Sequence, residues 1–353
     1  MAATIAVLAI ATSAYAQRIP IDTTPSSDEL RNIFTFQIEN DVFNRIGKSD
    51  RDYTNGIRLG WLSAALPDLP EGLAALTTIP TFFGEDPVSS VTRRFGISIG
   101  QNLYTPQDTD TSAPIPNDRP YAAWLYASFA LQSTYKRVDP KTLKDVPVRL
   151  DTLALDVGLV GPAAGGEFVQ NNFHNLIGVP RANGWANQLH NEPTIDLTFE
   201  RRWRTNHGVV FEDPKLEYDF VPRIGATVGN VVTYASAGGT VRIGKDLQND
   251  FGPARARPAL PGSEGFIGEG FGWYFFLGAG GEAVARNMFL DGNSDGNSPV
   301  HVTHRPFVGE AQAGITILFR GVRISYTQVL RSPEFYDRDR WDQFGSINVT
   351  IRY

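Results

Sequence analysis

A chain of 353 residues that is 42% apolar and 20% charged is too apolar to be disordered and too polar for a helical membrane bundle. A net charge of -6, with no long Lys/Arg run, excludes a nucleic-acid binder, which needs a basic surface to neutralise phosphate. Zero cysteines exclude a disulfide framework, a thiol nucleophile and a thiolate metal site, while 34 glycines and 11% aromatic residues favour β structure.

In chain order, residues 1–16 read as a secretory signal, because the apolar run ATIAVLAIATSAYAQ closes on Ala14-Tyr15-Ala16, an A-x-A cleavage pattern that leaves Gln17 first. The rest, 17–353, reads as a single domain without repeat or linker. Residues 17–30 are rich in Pro, Ser, Thr and Asp and suit a loose lead-in. No later run reaches the roughly 18 apolar residues of a transmembrane helix.

Alternating polarity then predicts twelve strands, at about 32–40, 55–64, 94–103, 121–135, 148–160, 193–204, 215–228, 231–244, 271–285, 305–318, 321–330 and 343–353. Most are near the length of a tilted strand crossing a bilayer, about ten residues, and bacterial outer-membrane barrels have even strand numbers. In the last strand Ile347, Val349, Ile351 and Tyr353 share one face, and Asn348, Thr350 and Arg352 the other. A soluble sandwich would give the same alternation with the faces reversed, but a strand ending on aromatic Tyr353 favours a barrel that closes there. The expected fold is all-β: a twelve-stranded antiparallel transmembrane β-barrel in the outer membrane.

Only Gly161 to Gly178 breaks the two-residue period. Glu167, Gln170, Asn171 and His174 fall on one face at helical spacing, and Phe168, Phe173, Leu176 and Ile177 elsewhere, so a short amphipathic helix is expected in the loop after strand five. In an up-and-down barrel, loops after odd-numbered strands share one rim. Those loops are about 41–54, 104–120, 161–192, 229–230, 286–304 and 331–342, and the densest polar chemistry falls in 41–54, 104–120, 161–192 and 286–304; a periplasmic N-terminus would turn this rim outward. Two opposite-rim connections, 65–93 and 246–270, are long for periplasmic turns.

Five sets of residues stand out. His174 is the leading catalytic candidate, since a neutral imidazole can take a proton from water, and Gln170, one turn earlier, can orient that water or bind a carbonyl; a solvated helix face would look the same. Asn40 and Asp41 end the first strand while Thr54 and Asn55 begin the second, an oxygen-rich set that suits either a hard cation such as Ca²⁺ or ordinary polar turns. Asp291 to Gly296, DGNSDG, mimics a calcium loop but has Val302 at position twelve, so a surface turn is expected. Gly96 to Gly100, GISIG, matches a serine-hydrolase elbow, yet Ser98 sits in an alternating strand. Arg119, entering strand four, could pair with an anionic substrate or a lumen carboxylate.

Taken together, IENDVF, DYTNGIRLGW, QNLYTP, NDRPYAAWLY, VGLVGPAAGGEFVQNNFHNLIG, GWANQL, FLDGN and FGSINVTIRY resemble the outer-membrane lipid A 3-O-deacylase (LpxR-like) family, in the family's order and over most of the chain. The resemblance implies a twelve-stranded barrel with a Ca²⁺-dependent active site on the extracellular-leaflet side. It implies lipid A or lipopolysaccharide as substrate, cleaved at the 3′-acyloxyacyl ester, with no nucleic-acid or protein partner. Residue by residue it implies Asp41 as metal ligand, Asn40 and Thr54 as active-site groups, Gln170 as a catalytic neighbour and His174 as general base. The family also carries basic residues before strand four and a glutamate after the helix. Here Gln107 to Asn117 has no Lys or Arg and Pro180 stands six residues after His174, so Arg119 and Arg181 are the expected substrate-binding substitutes. The competing functions are a serine phospholipase of the outer membrane, for which Ser98 is the candidate nucleophile, and a non-enzymatic barrel or pore.

Overall fold

A computed structural model describes residues 29–41, 52–66, 88–140, 143, 145–212, 215–254, 265, 266, 268 and 270–353. The expected signal (1–16), nearly all of the lead-in and residues 42–51 lie outside them. The first half of the sheet comprises β1 (Ile33–Asn40), β2 (Asp52–Leu62), β3 (Ser90–Thr105), β4 (Ala122–Val138), β5 (Asp145–Val160) and β6 (Glu192–Trp203). The second comprises β7 (Thr205–Glu212), β8 (Lys215–Gly229), β9 (Val232–Lys245), β10 (Gly272–Asn287), β11 (Phe307–Phe319), β12 (Val322–Arg331) and β13 (Asp342–Arg352). Helix α1 spans Gly166–Ile177, and a single turn, α2, spans Met288–Asp291.

Neighbouring strands pair antiparallel, β1 pairs β13, and β6 pairs β8, so the sheet closes on itself. Arg202 faces Arg223 and Thr205 faces Phe220 in one register, so β6 and β7 are a single strand interrupted at Arg204. The barrel therefore has twelve strands, as expected. What alternation missed is the β7 extension, where Val209, Val210 and Phe211 run consecutively and hide the period.

The two faces of the wall explain the alternating sequence. Outward positions such as Phe34, Phe36, Leu59, Trp61, Ile97, Ile99, Phe129 and Leu277 are exposed apolar groups, whereas inward ones such as Gln37, Glu39, Arg58, Asp156, Glu200, Arg242 and Arg323 are buried and polar. A soluble sandwich would do the reverse. Lipid is the solvent that stabilises this outside, and closure leaves no unpaired strand edge within it.

Among the described residues the lumen is packed towards both ends. Towards the rim that carries α1, Tyr53, Tyr104, Trp124, Tyr126, Met288, Phe289, Val329 and Phe344 form one buried cluster, in which Tyr104 stacks on Phe289 at 4.0 Å. At the other end, the first part of the β9–β10 connection, residues 246–254, folds into the barrel. Asp250 accepts from Arg323 Nε at 2.9 Å and Tyr274 Oη at 2.7 Å and pairs with Arg242, while Arg202 donates to the Pro253 carbonyl at 3.0 Å. Among the described residues this segment plugs that end of the lumen.

Candidate active site

Helix α1 is held against the outside of the barrel wall. Gln101 Nε2 donates to the Ala164 carbonyl at 2.6 Å, and Leu103, Tyr121 and Ala123 pack with Ala164, Ala182 and Trp185. Gly166 allows the close approach, because a Cβ there would lie 2.5 Å from the Ala123 Cβ and 2.6 Å from the Trp185 ring. The helix stops at Gly178, whose φ of 73° is favourable only for glycine and lets the chain turn back over the helix.

The helix is inside out relative to a soluble amphipathic helix. Gly166, Gln170, Asn171 and His174 form its buried face, while Phe168 (74% exposed) and Leu176 (82% exposed) point away, with Phe173 and Ile177 also exposed. A helix half embedded in acyl chains has this polarity. The polar side is therefore the side shielded from both water and lipid, where an unmet hydrogen bond costs most.

Each of the inward side chains is gripped by the segment that follows the helix. His174 Nδ1 lies 2.6 Å from the Pro180 carbonyl oxygen. That oxygen can only accept, so Nδ1 carries the hydrogen and the lone pair of the neutral ring is on Nε2. Trp185 Nε1 donates to Gln170 Oε1 at 2.8 Å, which turns the amide nitrogen of Gln170 the other way; that nitrogen is buried with no hydrogen-bond partner among the described residues. Asn171 accepts from the Ala182 amide at 2.9 Å. Sequence reasoning missed Trp185, because its partner is 15 residues away and neither residue's spacing signals the bond.

Asn40 and Thr54 of the strand-end group are on the same outward face of the wall. By alternation from the exposed Phe34 and Phe36, Asn40 faces outward on β1, where it is paired with Asn55 of β2, itself paired with Leu103 of β3. A bulge between Tyr53 and Asn55 brings Thr54 beside Thr105, their hydroxyls 2.6 Å apart. Asn40, Asp41 and Thr54 are all buried. Behind them, inside the lumen, Tyr53 donates to Glu39 and packs edge-on against Phe344 at 5.1 Å, so the wall under the group is stiff. The strand that α1 chiefly meets is β4, three strands along the wall from β1.

A sequence model of the family described as Outer membrane protein LpxR matches residues 2–353. The chain belongs to the LpxR family. Among solved structures, LpxR from Salmonella typhimurium superposes with a TM-score of 0.68 at 20% identity, covering 90% of this chain and 99% of that one. The β domain of the Bordetella autotransporter BrkA (TM-score 0.37, 12% identity, 92% and 97% covered) and the AIDA-I transport unit from Escherichia coli (0.36, 8%, 92% and 89%) share much less. A comparison with curated proteins finds no match. As an LpxR-family barrel the chain is an outer-membrane protein, and lipid A deacylation is the activity its family carries.

Two expected residues of this LpxR-family chain are differently employed. Arg119 is not available to a substrate in the way expected: it is 1% exposed, donates to Glu334 Oε2 at 2.7 Å and lies over the Tyr104 and Phe335 rings on the lumen side. Its guanidinium is spent joining the β3–β4 and β12–β13 loops. Ser98 faces the lumen, buried beside Gly60 and Ser128, whereas His174 is outside the wall, so a Ser98–His174 nucleophile pair is ruled out. Arg181 is exposed beside Pro180, and DGNSDG is a turn in which Asn293 and Ser294 are held by Glu192.

A calcium ion fits the chemistry of the strand-end donors, since the Asp41 carboxylate, the Asn40 amide and the Thr54 hydroxyl offer hard oxygens. No group of three His, Cys, Asp or Glu side chains among the described residues could hold a metal, so the Asp41 carboxylate would need neutral oxygens and water to complete the shell. A cleft lies elsewhere, in the lumen between Tyr104, Tyr234, Glu282 and His304. Acyl chains cannot reach it through the wall, and Arg331 there is already paired with Glu282, Glu310 at 3.0 Å and Glu334 at 3.2 Å.

Proposed function

We propose that this barrel is a lipid A 3′-O-deacylase, a carboxylic ester hydrolase that removes the 3′-acyloxyacyl group by direct attack of water. The observation that carries the reading is the His174–Pro180 hydrogen bond, which holds a buried imidazole in one orientation with its hydrogen on Nδ1. In the family a carboxylate follows the helix; here a main-chain carbonyl can fix the same tautomer.

The ester lies between α1 and the wall, its acyl chains among the outward apolar groups of the belt. His174 Nε2 takes a proton from water as the water oxygen bonds to the acyl carbon, and returns it to the sugar oxygen when the ester bond breaks. Gln170 Nε2 donates to the carbonyl oxygen rather than orienting water, because its acceptor atom is held by Trp185. Thr54 and Asn40 line the opposite wall as polar contacts. Calcium bound at Asp41 would supply positive charge for the oxyanion. Arg181 is placed to meet an anionic group of the substrate.

A pore is disfavoured by the packing inside the lumen. Mass spectrometry of lipid A after incubation with the purified barrel and Ca²⁺ tests the reading. Loss of the 3′-acyloxyacyl group supports it; intact lipid A at every calcium concentration sinks it.

A further inference from the structure

We infer that Pro180 to Trp185 is a positioning strap for the active site, and that Trp185 is the positioning residue that makes Gln170 a hydrogen-bond donor to the substrate. The inference rests on the role given to Gln170 above, and goes beyond it by naming what sets the amide's direction.

A glutamine side chain can present either its oxygen or its nitrogen to a ligand, and the two ends do opposite things: the nitrogen stabilises a developing oxyanion and the oxygen repels it. Something must choose. Within the buried face of α1, the indole nitrogen of Trp185 can only donate, so at 2.8 Å from Gln170 it fixes the oxygen on its own side and sends the nitrogen to the other. Trp185 itself has little freedom. It is 1% exposed, packs on Tyr121 with ring centroids 5.0 Å apart, and sits against Gly166 at the start of the helix.

The strap is tied at several further points. Asn171 accepts from the Ala182 amide at 2.9 Å. Asn183 donates from its backbone to Thr109 at 2.9 Å and from its side chain to Asp110 at 3.1 Å, and Asn187 donates to Ser112 at 2.8 Å. The β3–β4 loop thus backs the strap, and the strap holds both catalytic side chains of α1 through donor and acceptor atoms that admit one orientation each. The choice is made before substrate arrives, which is what an oxyanion donor requires.

The test is a double-mutant cycle with a spectroscopic arm. Trp185→Phe keeps the aromatic contact with Tyr121 and removes the indole donor. It is expected to lower kcat about 3- to 10-fold, the worth of one neutral hydrogen bond, with KM little changed. In a Gln170→Ala background the same substitution is expected to have no further effect on kcat, because there is no amide left to orient. Separately, the indole N–H proton resonance of Trp185 in detergent micelles is expected to move upfield in Gln170→Ala, and heat-modifiable migration on gels confirms that each variant is folded. Full additivity in the cycle, or an unmoved indole resonance, overturns the positioning role of Trp185 even when Gln170→Ala alone is impaired. Wild-type activity in Gln170→Ala overturns the role of Gln170 itself, and this inference with it.

Discussion

The packing inside the lumen makes a separable prediction, because the proposed chemistry lies outside the wall and the plug inside it. Asp250 is the keystone of the plug: it meets Arg323 at 2.9 Å, Tyr274 at 2.7 Å, the Gly252 amide at 3.1 Å and Arg242. In Asp250→Ala, Arg242 keeps its pairing with Asp219, whereas Arg323 loses its carboxylate and keeps the Gly252 carbonyl, Tyr274 and Asn348. Removing one partner of such a buried network costs about 3–5 kcal/mol, mostly as an uncompensated charge. The expected loss is therefore large for one loop residue, and denaturant unfolding in micelles measures it. Burial alone would raise the Asp250 carboxyl, but the Arg323 and Arg242 guanidiniums and the Tyr274 hydroxyl hold it below its ordinary value. A lowered folded-state value means that this stabilisation is complete above the unfolded carboxyl's pKa, near 3.9, and is lost as pH falls below it through the folded value. Deacylase kcat at neutral pH is expected to stay at the wild-type level while small-solute flux through reconstituted barrels rises. A deacylase rate that falls in step with the plug's loss would refute the separation of lumen and site, and an unchanged unfolding midpoint would refute the keystone role.

Two further predictions follow from side chains that turned out to be elsewhere. Ser98→Ala is expected to leave ester hydrolysis unchanged, since Ser98 is buried in the lumen; abolished turnover in a folded variant would revive a serine nucleophile. Arg119→Ala leaves Glu334 paired with Arg331 at 3.2 Å but removes its 2.7 Å bond, so a stability loss of about 1.5–3 kcal/mol is expected with KM for lipid A unaltered, whereas Arg181→Ala is expected to raise KM and leave stability alone. The reverse pattern in unfolding and kinetic measurements would return Arg119 to the substrate.

Much of this fold was legible because two solvents write a strict pattern. Lipid on one face and a polar lumen on the other force alternation, and all twelve strands were visible by it. Val209, Val210 and Phe211 broke the pattern where the wall runs past its neighbour β5, and there the reading failed. The helix was legible too, but its period could not say which face is buried. Only its seat on the outer wall makes Phe168 and Leu176 the exposed side and His174 the sheltered one. The candidate residues His174 and Asn40 could be named from the sequence, whereas the residues that hold them could not. Glu334 lies 215 residues from Arg119, and no local signal announces that pairing. Pro180 read as a departure from the family pattern, yet it is the carbonyl rather than the side chain that meets His174.

The central claim is that His174, a buried imidazole on the outward face held through Nδ1 by the Pro180 carbonyl, is the base for ester hydrolysis. The rate of acyl release from lipid A by folded His174→Ala barrel, against wild type at the same calcium concentration, tests it most directly. The account predicts a fall of about 10²- to 10⁴-fold, the usual contribution of general base catalysis. A His174→Ala barrel that releases acyl groups at the wild-type rate would contradict it.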